Sequence, residues 1–142
     1  MTVLIDDLCL RDVMVGSGGL VTDAVGGEDL ATTNLWYARL CRAAARTGEG
    51  ALFGPLDAWQ RAALIEGLVK LPRDIAIVPM RDLAWRMGVL LSEGARLSTL
   101  GLEAVAGAEF LNARLLVSDL ADVPEMSRCC ARLGIGCAGV RS

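Results

Sequence analysis

Two aspartates, Asp6 and Asp119, each close a short apolar run, TVLI at 2–5 and LLVS at 115–118. Open α/β sheets place their ligand sites just beyond the carboxyl ends of the strands. If the two runs are parallel neighbouring strands, the two carboxylates converge at one edge of the sheet. Such a pair can hold Mg²⁺ or Mn²⁺, because hard cations take oxygen ligands and clustered negative charge. A metal there could orient and activate water for phosphodiester cleavage. The competing reading makes each acid the cap of the helix that follows, accepting free backbone N–H groups, with Asp7 a rival cap beside Asp6. Both readings stand at the level of sequence. The chain contains no histidine, which removes Ser-His and Cys-His triads, histidine bases and histidine-ligated zinc together. Catalysis would fall to carboxylates, Lys, Tyr, Cys or a carboxylate-bound metal.

Other residues with chemical potential have plainer readings beside the sharp ones. Arg39, Arg42 and Arg46 fall at helical spacing on one side, as a phosphate-binding face or as a solvated helix surface. Trp36 and Tyr37 could stack a base; the plainer assignment makes one core and the other partly exposed. Trp59 and Trp85 occupy apolar helical positions and read as core or dimer interface. Glu103 and Glu109 are expected to face solvent or to pair with arginines such as Arg96 and Arg114. The five cysteines (Cys9, Cys41, Cys129, Cys130, Cys137) show no CxxC spacing and read as reduced, structural thiols. The GSGG stretch at 16–19 lacks a P-loop lysine and reads as a flexible loop.

The elements that must position Asp6 and Asp119 follow from hydrophobic patterning. Strands are predicted at 2–5, 75–78 and 115–117, with a weak one at 135–140 that Gly136 and Gly139 compromise. A short helix covers 8–14. Residues 15–30 read as a loop or irregular helix. Thr32, Thr33 and Asn34 offer caps for a helix over 34–46 that stops near Gly48–Gly50. Pro55 opens a helix reaching Lys70, and Pro79 starts another with Leu83, Met87, Leu90 and Leu91 inward. Ser98 or Thr99 caps the helix of LSTLGLEAVAGAEFLNARLLVSD, whose Gly101, Ala104 and Gly107 recur at every third position and allow a close backbone approach. A last helix covers 124–133. Strands separated by helices imply a parallel sheet with right-handed crossovers and helices on both faces. The expected architecture is a three-layer α/β/α sandwich around four to five short strands.

At 142 residues the length fits one domain, 1–142, with a core of Leu, Val, Ala and Ile. No run approaches the roughly eighteen uncharged apolar residues of a membrane span, and MTVLIDD lacks the features of a secretory signal. A cytoplasmic protein with no membrane association is the expectation. The net charge of −3 comes from 14 basic and 17 acidic residues without a basic cluster, which weighs against general nucleic-acid binding.

The segments VLIDD, LP…IAIVPMRDLAWRMGVLL and above all LSTLGLEAVAGAEFLNARLLVSD resemble the PIN domain. That family includes the toxin nucleases of toxin–antitoxin pairs and other RNA-cleaving proteins. The resemblance spans most of the chain and implies a central parallel sheet, frequent homodimers and an acidic pocket binding Mg²⁺ or Mn²⁺. Of the family's pocket acids, the first-strand acid corresponds to Asp6 and the last to Asp119. The helix glutamate falls around Tyr37–Arg39, with Arg39 the nearest equivalent, and the aspartate opening the later helix falls on Gly101. Glu103 lies about 200° round a helix from that position and substitutes poorly. The Ser or Thr beside the last acid corresponds to Ser118, shifted by one place.

Two function classes follow. The first is a degenerate PIN-like domain without catalysis and without a cofactor, a homodimer binding a protein partner, or RNA, through the helices at 34–46 and 55–70, with Arg39 filling the old pocket. The second is a Mg²⁺- or Mn²⁺-dependent ribonuclease using Asp6 and Asp119, helped by Asp7, Glu103 or Asp122. It needs a third acid within reach of the other two.

Overall fold

The computed structural model describes residues 1–16, 19–46 and 56–141. Five parallel strands form its centre: β1 (Thr2–Ile5), β2 (Asp29–Thr32), β3 (Ile75–Ile77), β4 (Arg114–Val117) and β5 (Cys137–Gly139), in the order β3-β2-β1-β4-β5. Seven helices surround them: α1 (Asp7–Val15), α2 (Gly19–Val25), α3 (Asn34–Ala45), α4 (Ala58–Val69), α5 (Met80–Ser92), α6 (Thr99–Leu111) and α7 (Pro124–Leu133). The fold is the expected three-layer α/β/α sandwich. No helix among the described residues is long and apolar enough to cross a membrane.

Strand alternation divides the core in two. Leu4, Leu115 and Val117 point to one face, where Leu83, Met87 and Leu90 of α5, the middle of α6, and Met126, Cys129 and Cys130 of α7 cover them. Val3, Ile5 and Leu116 point to the other, against Cys9 and Leu10 of α1, Val21 and Val25 of α2, Leu40 of α3, and Leu64 and Leu68 of α4. Because both faces are covered, β1 and β4 read as continuous apolar runs. Those are the strands that the sequence made plain.

β2 was not legible. In its sequence, DLAT, Asp29 and Leu30 fall in the stretch 15–30 expected to be a loop or irregular helix, Thr32 was expected as a cap, and only Ala31 and Thr32 are buried. Its place comes from pairing on both sides, with β1 and β3, and from the Thr32 hydroxyl donating to the Ile5 carbonyl at 2.9 Å. Helix ends follow local chemistry. Gly16, at φ 76°, closes α1 in the left-handed region. Asp57 and Gln60 cap α4 reciprocally. The expected helix start at Pro55 and stop near Gly48–Gly50 lie outside the described residues, as do Ser17 and Gly18 of the GSGG stretch.

Two expectations about helix faces are corrected. Leu91, placed inward, is exposed, because α5 turns only Leu83, Met87 and Leu90 to the core. On α6 every residue from Gly101 to Ala108 is buried, because the helix meets β1, β4, α3, α5 and α7. Yet its glycines mark no forced approach. A Cβ on Gly107 would meet Leu4 Cδ2 at 3.6 Å and Leu83 Cδ1 at 3.8 Å, ordinary packing distances. The close approach lies elsewhere, between α1 and α4, where a Cβ on Gly67 would stand 2.5 Å from Met14 Sδ. In urea unfolding, Gly107→Ala should therefore be neutral or stabilising by up to about 1 kcal/mol. Gly67→Val should lose about 1–3 kcal/mol by overpacking the α1–α4 contact.

Candidate functional site

β1 and β4 are adjacent and parallel, with Ile5 opposite Leu116. Asp6 and Asp119 therefore leave the sheet side by side. They line one cleft of about 430 Å³, together with Asp7, Arg39, Gly101 and Ser118. Asp6 and Asp119 thus share one edge of the sheet, as the sequence implies for neighbouring strands. The structure decides how their oxygens are used.

Asp6 is the N-cap of α1. Its Oδ1 accepts the Cys9 N–H at 2.9 Å and its Oδ2 the Ser118 N–H at 2.8 Å, so the capping role and the link between β1 and β4 use both oxygens. Burial pushes the Asp6 carboxyl above the ordinary aspartate range, the two backbone donors oppose this, and the neighbouring Asp7 charge adds to it. Asp7 is fully buried. Its Oδ1 accepts the Leu8 N–H at 3.0 Å and its Oδ2 takes the Arg39 Nε–H. Arg39 thus enters the pocket as expected, but it grips Asp7 and not the Asp6–Asp119 pair. Its guanidinium is held above its usual range, first by that hydrogen bond. Asp119 is half-buried and caps the one-turn 3₁₀ helix Leu120–Asp122 through the Ala121 N–H at 3.0 Å. Ser118 is buried and serves Asp6 through its backbone.

Glu103 overturns its expectation. It is fully buried and faces neither solvent nor an arginine. Its Oε2 accepts the Asn34 N–H at 2.9 Å and Asn34 Nδ2 at 2.8 Å, while Oε1 accepts the Leu35 N–H at 2.9 Å. Thr33 takes the Trp36 N–H at 3.0 Å. Every free donor of the first turn of α3 is thereby satisfied. Asn34 Nδ2 also reaches the Val78 carbonyl at 2.7 Å, which ties in the end of β3. The TTN caps were readable in sequence; the partner 69 residues away was not. At Gly101 a Cβ would stand in van der Waals contact with Leu97, 3.4 Å from its Cβ.

The remaining candidates take plainer roles. Arg42 and Arg46 are exposed. Trp36 is core, and Tyr37, half-buried, donates its hydroxyl to the Leu68 carbonyl at 2.5 Å. Trp59 and Trp85 are not core: they are 86% and 85% exposed. Glu109 pairs with Arg86 at 2.6 Å, and Arg114 with Glu28 at 3.0 Å. The five cysteines are free thiols. Among the described residues no three His, Cys, Asp or Glu side chains come together as a metal-holding group.

The fold is a five-stranded parallel sheet between helices. Among solved structures it is similar to a chain of VapBC-1 from nontypeable Haemophilus influenzae, with a TM-score of 0.60, 16% identity and all of both chains covered. No protein-family profile and no curated protein sequence matches the chain.

Two measurements check this geometry. Glu103→Ala leaves three buried donors without an acceptor and should cost about 2–4 kcal/mol in denaturant unfolding. Glu103→Gln, which keeps one carbonyl acceptor, should lose less. In a ¹³C carboxyl NMR titration the Asp6 midpoint should lie above that of an ordinary aspartate. The folded state then holds this proton more tightly than the unfolded one. The stability linked to it is present at low pH and declines as pH rises through the Asp6 midpoint; a midpoint below the ordinary value would contradict the burial.

Proposed function

We propose that this chain is a degenerate PIN-like domain that binds rather than cleaves, a homodimer whose former acidic pocket has become structure. The observation that carries the reading is that Asp6 spends both oxygens on backbone N–H groups while Arg39 closes on Asp7. Where the PIN resemblance calls for a glutamate there is a cation, and where it calls for an aspartate there is Gly101. A Mg²⁺ or Mn²⁺ ion needs several free carboxylate oxygens converging on one point. With an N–H already on each Asp6 oxygen and Arg39 on Asp7, a cation would meet only the remaining lone pairs of Asp6 and Asp119 beside a guanidinium, which supports weak or no metal binding.

Binding has a candidate surface on α4, where Trp59 is 86%, Val69 75% and Ile65 40% exposed. Exposed apolar faces of this kind mark protein contacts more than nucleic-acid contacts. With a net charge of −3, RNA is the weaker of the two ligands. A protein partner on α4 is the reading best supported.

Calorimetric titration with Mn²⁺ tests it. The wild-type chain should show no saturable binding below millimolar Mn²⁺. The double variant Arg39→Glu/Gly101→Asp should gain affinity by about tenfold or more as ligand charge returns. Micromolar binding by the wild type that vanishes in Asp6→Asn would overturn the proposal and restore the nuclease reading.

A further inference from the structure

Two of the five thiols stand together at the far edge of the sheet, away from the acidic cleft. Helix α7 ends at Gly134, in the left-handed region, and the Ile135 N–H returns to the Cys130 carbonyl at 2.8 Å. That turn sends the chain back past the helix into β5. Cys137, the first residue of β5, is in register with Leu115 of β4. Leu115 points to the face that α7 covers, and Cys137 packs against the same cluster, which contains Cys130. The two side chains meet there in a thiol–thiol hydrogen bond. Cys129, about 100° round the helix from Cys130, is turned elsewhere and accepts from Arg132 Nη2 at 3.7 Å.

The pair is asymmetric. Cys130 is fully buried, whereas Cys137 is half-buried and reachable from solvent. The hydrogen bond from Cys130 holds the Cys137 thiol below its ordinary range, with burial opposing; giving that bond, and then burial, push Cys130 up. A thiolate is the nucleophile in thiol chemistry, so Cys137 reacts first and Cys130 waits beside it as the resolving thiol. β5 is an edge strand of three residues, paired with β4 alone, and gains most from a second attachment. We infer that Cys130 and Cys137 form a reversible disulfide that locks the edge strand β5 to α7, with a peroxide as the oxidant. The Cys137 sulfur attacks one peroxide oxygen, the O–O bond breaks, and a sulfenic acid and one water result. The Cys130 sulfur then displaces the sulfenic oxygen, which leaves with the Cys130 proton as a second water. Two thiols and hydrogen peroxide thus give one disulfide and two waters, and an external dithiol restores the pair by exchange.

Tryptic mass mapping of the full chain after hydrogen peroxide treatment tests this. Trypsin cuts after Arg128, Arg132 and Arg141, so the disulfide joins CCAR (129–132) to LGIGCAGVR (133–141). The wild type should yield that linked pair, lost on adding dithiothreitol, with fragmentation placing the bond on Cys130. In the reduced chain Cys137 should be the thiol that iodoacetamide alkylates fastest. Cys129→Ala should keep the link. Cys130→Ala should lose it and accumulate a sulfenic acid at Cys137, trapped by dimedone. The linked form should also melt several degrees above the reduced one. A wild type that oxidises without the link, or links through Cys129, overturns the pair whatever the variants do. A linked form whose melting temperature does not rise overturns the lock on β5.

Discussion

The buried carboxylate of Glu103 holds the two halves of this fold in register. Among the described residues it forms no ion pair; three N–H donors from Asn34 and Leu35 neutralise it in effect. A carboxylate at the amino end of a helix is favoured by the helix dipole as well as by its hydrogen bonds. Here the acid belongs to α6 and the helix is α3. Because α6 packs on one face of the sheet and most of α3 on the other, one side chain fixes how the layers meet past the end of β2. Asn34 extends the link to Val78 after β3. The position of Arg39, one turn further along α3, follows from that anchor.

In the pocket the acids are held by backbone N–H groups and one arginine. Asp6 still stands where the PIN resemblance puts a metal ligand, but its lone pairs tie α1 to the start of the β4 loop through Cys9 and Ser118. Asp7, buried beside it, would be an uncompensated charge, and such charges are costly. Arg39 supplies the compensation. The ion pair also holds α3 against α1.

Where function could lie instead is on the outer surfaces of α4 and α5. A small chain exposing Trp59, Trp85, Val69 and Leu91 leaves large apolar side chains in water on helices already satisfied on their inner sides. The sheet is buried on both faces, and the helices on its two sides give two separate apolar outer faces.

By itself the sequence determined the sheet's plan. The runs at 2–5 and 115–117 are apolar throughout because both faces of a parallel sheet are covered, and that pattern needs no knowledge of neighbours. That Asp6 and Asp119 share one edge was conditional in the sequence, and the adjacency and register of β1 and β4 decided it. Tertiary structure decided what those acids do. Two carboxylates at a strand end look alike in sequence whether they await a cation or accept backbone N–H groups, and only the placing of Cys9, Ser118 and Arg39 chooses between them. It also decided β2, whose residues have little strand character and gain their place from pairing on both sides. Glu103 marks the limit most clearly. A charged residue on a helix reads as solvent-facing from its own chemistry alone, and what buries it is a helix start 69 residues earlier.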